Sequence, residues 1–221
     1  MAINQFNLAA NQRAERKLLI TVAEWTEPTA QYYLTLTEPS DWSTAYTSYY
    51  TKSGSTYSPV TGDSAPTWEA NKYYVSTTTV REILGTRTED SSIEYNGDIQ
   101  TSTDIRGFNY TDLNKTQPQQ TLDPYLILGG SRLGAKLNDI RKRNALSELS
   151  QFTIYVITAF VGDATTGYET EKHVDCTILY TAIGGDVNVN FPIEVHLSNK
   201  ITNGTVNRLA DDFVFTPDVT V

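Results

Sequence analysis

Apolar and polar residues alternate along much of this chain, and the alternation predicts strands. Lys17 to Trp25 reads KLLITVAEW and places Leu18, Ile20 and Val22 on one face. Phe152 to Val161 carries Phe152, Ile154, Val156 and Phe160, and Val174, Cys176 and Ile178 alternate in the next run. Val187, Val189, Phe191, Ile193, Val195 and Leu197 then alternate with Asn188, Asn190, Glu194 and His196 on the opposite face. Such a strand reaches about 36 Å, and burying its apolar side chains is worth about 1.5–3 kcal/mol each before chain entropy opposes it. Pro192 lacks a ladder donor, which predicts an edge strand or a bulge there.

Turn residues punctuate these runs. Asn96-Gly97, inside Ile93–Ile99, predicts a tight hairpin, because both positions accept positive φ. Asn203-Gly204 predicts another, and Gly184-Gly185-Asp186 turns the chain. Phe213-Val214-Phe215 reads as the end of the last strand, before Pro217. Residues 107–130 read as a long irregular connection, broken by Pro118, Pro124 and Gly129-Gly130, of the kind that serves function or assembly.

A helical period occurs at about 132–143. Leu133, Leu137 and Ile140 form one stripe, Ser131 stands as the cap, and Arg141, Lys142 and Arg143 lie where cations suit the helix dipole. The phase breaks at Leu146 and Leu149, which predicts a bend or a second short turn. Residues 1–16 read as a polar arm without the apolar core of a secretion leader. Residues 41–74 differ in texture: more than half are Ser, Thr or Tyr, with Trp42 and Trp68 among them. That composition predicts a small hairpin-rich insertion whose rings pack on one another; a ligand patch on Trp42, Trp68 and their Tyr neighbours is the competing reading.

Composition narrows the function. The chain has 221 residues, with 14 Tyr and one Met, which suits pleated sheets. Its 26 acidic against 17 basic residues give a net charge of −9, which opposes wrapping by nucleic acid. The single cysteine, Cys176, excludes an internal disulfide framework, and no 18-residue apolar run suggests a membrane-spanning helix. Between positions 89 and 112 the acids Glu89, Asp90, Glu94, Asp98, Asp104 and Asp112 outnumber Arg106, which describes a solvated acidic face rather than an acid–base pair.

Chemistry is sparse. No phosphate loop, dinucleotide fingerprint, nucleophile elbow or zinc-spaced cluster is present. The strongest catalytic candidate is His173-Val174-Asp175-Cys176, but strict alternation puts His173 and Asp175 on one face and Cys176 on the other. A nucleophile and its base must meet. Cys176 then reads as a small buried hydrophobe, and His173, Asp175 and His196 read as surface residues rather than metal ligands. The expectation is a protein without catalytic, cofactor or metal residues.

The order of features resembles the major tail proteins that build bacteriophage tail tubes. An N-terminal strand is followed by a variable insertion, an acidic hairpin ending in Thr103-Asp104-Ile105-Arg106-Gly107, one helix, and strands bearing Gly184-Gly185-Asp186. Tyr49-Tyr50, Tyr57 to Asp63, Ala65-Pro66-Thr67-Trp68 and Tyr73-Tyr74 look like insertions in structural proteins of phages that infect Gram-positive bacteria. The resemblance covers Lys17 to Val221; residues 41–74 depart from the minimal tube pattern.

The resemblance implies a mainly β chain: an arm at 1–16, then one β-sandwich or barrel of tail-tube type over 17–221, with a flanking helix and the inserted module. It also implies six-copy rings stacked into a tube through 1–16, 28–79 and 107–130, in contact with other tail or head–tail connector proteins. DNA passes through the lumen without specific binding, and the acidic balance repels it over about 8 Å. The basic run Arg141–Arg143 then faces away from the lumen. The alternatives are another virion part, such as a capsid decoration or connector protein, and a carbohydrate-binding β-sandwich.

Overall fold

The computed structural model describes residues 10, 14, 19–33, 49–53, 56–59, 73–85, 92–123, 125, 131–184 and 190–218. The chain is mainly β, with an open antiparallel sheet and one helix traced from end to end. It divides into two compact units, Met1–Glu24 with Arg81–Val221, and Trp25–Val80.

The smaller unit contains the outer part of strand β1 (Ile20–Tyr33), β2 (Tyr49–Ser53), β3 (Thr56–Pro59) and most of β4 (Tyr73–Ile83). β2 forms an antiparallel hairpin with β3 and pairs on its other side with β4. The two Tyr pairs of the insertion are thus strand residues, with Thr51 opposite Tyr74 and Lys52 opposite Tyr73. Trp42 and Trp68 lie outside the described residues.

In the larger unit β5 (Glu94–Thr103) and β6 (Asn109–Leu122) precede helix α1 (Arg132–Arg143) and a 3-10 turn (Leu146–Ser150). Strands β7 (Phe152–Asp163), β8 (Gly167–Tyr180), β9 (Ile193–His196), β10 (Ile201–Val206) and β11 (Phe215–Pro217) follow. The strand order is β1-β7-β8-β9-β6-β5, and β10 branches from β8 to carry β11.

β7 is the centre of this unit. Its even positions Phe152, Ile154 and Val156 and its odd positions Tyr155, Ile157 and Ala159 are all buried, so both faces are covered. The odd face joins Ile20, Val22, Ile83, Val206, Leu209 and Phe213 in one core. Ala10, in the expected arm, is helical and buried in the same core, and Ala14 packs against it.

A bulge steers β8. Phe152 faces Cys176 but Ile154 faces His173, so three steps on β8 match two on β7. The extra residue is absorbed at Asp175, which takes a left-handed conformation with φ 57. Before the bulge β8 lies between β7 and β10; after it, Thr177–Tyr180 pairs with β9. One strand thereby serves two ladders, a known way of turning a sheet corner.

Helix α1 matches the sequence pattern. Leu133, Leu137 and Ile140 are fully buried, Ser131 accepts from the Gly134 amide, and Asn144 closes the helix in a left-handed conformation. The phase break is a separate 3-10 turn, whose Ser150 accepts from the Thr177 hydroxyl at 2.9 Å. The helix start also receives a carboxylate from β4. Glu82 accepts from the Arg132 and Leu133 amides at 2.8 and 3.0 Å, and from the Ser131 and Tyr125 hydroxyls at 2.7 and 3.2 Å. Burial, and then the Glu82 charge, push the Tyr125 phenol far above its ordinary value.

Three expectations are corrected. Asn203-Gly204 is not a turn but the middle of β10, where Gly204 admits the β11 backbone: a Cβ there would lie 2.2 Å from the Thr216 carbonyl oxygen. The alternating run 187–197 is strand only at Ile193–His196, with residues 185–189 outside the described set. That strand is internal, between β8 and β6, and Pro192 immediately precedes it, so the missing donor falls outside the ladder.

Candidate functional site

β5 and β6 form an antiparallel ribbon from Glu94↔Gln119 to Thr103↔Asn109. Among the described residues β6 joins the rest of the sheet through Gln119–Leu122, which pairs with β9, and the adjoining Pro118 carbonyl. The segment 95–118 is therefore two strands wide, and nine residues of β5 carry it about 30 Å outward. Every residue of β5 is exposed.

The turn is built differently from the one read at Asn96-Gly97. Those two residues lie within β5, paired with Gln117 and Thr116. The chain reverses at Asp104–Phe108. The Gly107 amide donates to the Asp104 carbonyl at 3.0 Å, and the Asp104 amide to the Phe108 carbonyl at 2.9 Å. Gly107 has φ 82, so this is a type I turn closed by a glycine bulge. The Asp104 carboxylate accepts from the Arg106 and Phe108 amides at 2.8 and 3.0 Å and from the Tyr110 hydroxyl at 3.1 Å. These bonds, the Phe108 amide foremost, hold its carboxyl below the ordinary range.

The irregular connection expected at 107–130 is likewise corrected, since Asn109–Leu122 is a strand. Pro118 is tolerated because its carbonyl accepts from Leu197, beyond the last β6–β9 pair, where the ladder ends.

The two faces of the ribbon differ. Tyr95, Ile99, Thr101 and Thr103 alternate on one face, opposite Pro118, Leu113, Thr111 and Asn109. Glu94, Asn96, Asp98, Gln100 and Ser102 occupy the other, opposite Gln119, Gln117, Lys115, Asp112 and Tyr110. A bulge between Asp98 and Ile99 accommodates one extra residue on β6. Ile105 at the turn is fully exposed, and Tyr95, Ile99, Phe108 and Tyr110 are each more than half exposed. A two-stranded hairpin is at best marginally stable in water, so a ribbon of this length with these large side chains exposed is suited to being covered. β5, the outer strand, contains neither Lys nor Pro, and its only charged residues are Glu94 and Asp98.

The candidate catalytic residues come together differently from what strict alternation predicts. The bulge at Asp175 turns His173 and Cys176 to the same face of β8, away from Asp175. His173 is buried, with Nδ1 2.9 Å from the Ser198 carbonyl oxygen and Nε2 3.3 Å from Glu171. Cys176 is fully buried, and burial pushes its thiol up against the smaller pull of the Ser198 amide, 3.5 Å from Sγ. The His173 ring is thus engaged at both nitrogens, and the Cys176 thiol is held in its protonated form. Asp175 pairs with Lys200 at 2.5 Å on the surface. Among the described residues no three His, Cys, Asp or Glu side chains converge as metal ligands, and no helix is long and apolar enough to cross a membrane.

The basic run is partly committed. Arg143 bonds Glu148 and Asp139, each at 2.8 Å, and is raised chiefly by Glu148. Arg141 reaches the neutral Asn138 amide oxygen at 3.0 Å, and Lys142 is exposed. A second cluster seals the core: Arg81 bonds Glu24 at 2.6 Å and the Phe213 carbonyl at 2.7 Å, with its guanidinium 4.1 Å from the Phe213 ring centroid. No family model, no curated protein and no solved structure matches the chain.

Proposed function

We propose that the protein is a self-assembling structural subunit, a tail-tube protomer of a bacteriophage virion. The observation that carries this reading is the exposed ribbon 94–119, which bears Tyr95, Ile99, Ile105, Phe108 and Tyr110 uncovered and, among the described residues, pairs with the rest of the sheet at one end. Covering its exposed side chains is worth about 1–2 kcal/mol each. A neighbouring copy provides that cover, and β-strands of adjacent copies complete a sandwich or barrel around a lumen. Six copies form a ring, rings stack into a tube, and other tail or head–tail connector proteins cap it. The net charge of −9 keeps the passing DNA from adhering to the wall. In this role the protein performs no reaction and holds no cofactor or metal.

The test is electron microscopy with sedimentation of the purified protein and of the Ile99→Asp and Phe108→Asp variants. Rings or tubes are expected from the parent, and monomers with an unchanged unfolding midpoint from both variants. Trimers or rings of another size point to a decoration or connector protein. A parent that stays monomeric under every condition, including with an initiating complex, overturns the proposal.

A further inference from the structure

The chain contains two Asn-Gly pairs, Asn96-Gly97 and Asn203-Gly204, and both lie inside strands. In this dipeptide the following amide nitrogen attacks the asparagine side chain readily, because glycine brings no side chain to crowd the ring that forms. An extended residue holds its side-chain carbonyl away from that nitrogen, so the reaction proceeds when the strand opens locally. The two pairs differ in what opening costs. Asn96 and Gly97 are exposed and, among the described residues, have a strand on one side, with Gln117 and Thr116 opposite. The Asn96 Nδ2 donates to the Gln117 carbonyl at 3.5 Å, the long limit of a hydrogen bond, so the side chain is loosely held. A ribbon of two strands is marginal on its own. Gly204, by contrast, stands between Thr170 of β8 and Pro217 of β11. It is buried against the Thr216 carbonyl, and the Asn203 carbonyl accepts from the Asp218 amide at 2.9 Å.

We propose that Asn96 is a self-modification site, at which the folded protein deamidates while Asn203 is protected. The Gly97 amide loses its proton to solvent base, and its nitrogen bonds to Asn96 Cγ. The Cγ–Nδ2 bond breaks, ammonia leaves, and a succinimide ring closes. Water then opens the ring. Cleavage on the Cγ side leaves aspartate; cleavage on the main-chain side leaves isoaspartate, whose main chain is one carbon longer. Water is the only co-reactant, and nothing is oxidised or reduced. The isoaspartate lengthens β5 inside its ladder, so residues from Gly97 to Thr103 lose register with β6. The site itself stands on the structure alone. Its consequence rests on the assembly reading above: a copy that ages before it is covered loses its contact ribbon.

Ageing the purified protein in heavy-oxygen water at mildly alkaline pH tests the site, with peptide mass spectrometry reading one labelled oxygen gained per conversion. Asn96 is expected to convert at least about tenfold faster than Asn203, since its ladder has one neighbour and not two. Gly97→Ala is expected to slow conversion at Asn96 by about tenfold, because the added methyl crowds the ring. The isolated isoaspartyl form is expected to exchange its amides across 97–103 faster than unaged protein. Equal rates at the two pairs, or faster conversion at Asn203, overturn the proposal; unchanged exchange across 97–103 overturns the loss of register. Where the parent assembles, aged parent is expected to lose assembly and aged Asn96→Gln, which closes the larger ring slowly, to keep it. Deamidated parent that assembles as before overturns the consequence. A parent that never assembles overturns the assembly reading and leaves the site standing.

Discussion

The start of helix α1 offers a perturbation whose size follows from the structure. Glu82 is supplied by β4, about fifty residues upstream, and its carboxylate gathers four donors: two helix amides and the hydroxyls of Ser131 and Tyr125. Glu82→Ala removes them all. The Arg132 amide is exposed and water replaces its partner. The Tyr125 hydroxyl is buried, and leaving it without its acceptor costs about 1–3 kcal/mol. Losing a negative charge at a helix N-terminus adds about 0.5–1 kcal/mol. Ser131 still caps the Gly134 amide, so the helix survives. The sum is about 1.5–4 kcal/mol, a fall of about 3–16 °C in midpoint for a chain of this size. Circular dichroism melts measure it, with Tyr125→Phe as a comparison expected to lose only about 1 kcal/mol, because Glu82 keeps its other donors. A loss below about 1 kcal/mol for Glu82→Ala refutes the view that this carboxylate anchors the helix.

Two other predictions concern the bulge and the 3-10 turn. Asp175 sits at φ 57, so Asp175→Gly relieves a left-handed strain of about 1 kcal/mol and loses a solvent-screened surface pair with Lys200. It should change stability by less than about 1 kcal/mol, whereas Asp175→Val should cost about 2 kcal/mol or more; equal denaturant midpoints for the two contradict the strained bulge. Glu148 is lowered from 4.5 to about 2, first by its bonds to Arg143 and then by Lys136, against opposing desolvation. Because its folded value lies below its unfolded one, its contribution is present above about pH 4.5 and is lost as pH falls toward about 2. Glu148→Gln should flatten the stability–pH curve in that window, measured by urea midpoints; parallel curves for parent and variant contradict the assignment.

Helix α1 was legible because its signals are local and agree: a 3.6-residue stripe at Leu133, Leu137 and Ile140, a Ser cap before it and cations at its end. The strand at β7 was legible for the same reason. Where signals compete, geometry decides. Asn96-Gly97 is the stronger turn pair by composition, yet the chain turns at Asp104–Gly107, where one carboxylate satisfies two amides and a hydroxyl. The signal, an Asp three residues before a Gly, was present in the sequence. β6 reads as a polar loop with a proline because its strand character comes from pairing with β5, not from apolar residues of its own. Period-two counting across Val174–Asp175 assigned His173 and Cys176 to opposite faces, because a single inserted residue inverts every later position. The ribbon's exposure, on which the functional reading depends, is a property of what it lacks as neighbours, and no pattern within 94–119 encodes it.

Hydrogen–deuterium exchange across 94–110 compares dilute protein with the highest concentration, or the initiated state, that yields assemblies. If the ribbon is the contact, its amides, including those of β5 that point away from β6, exchange fast in the dilute sample and become protected on assembly, more than those of any other exposed strand. If assemblies form while this segment goes on exchanging at its dilute rate, the ribbon is not the contact and the account fails.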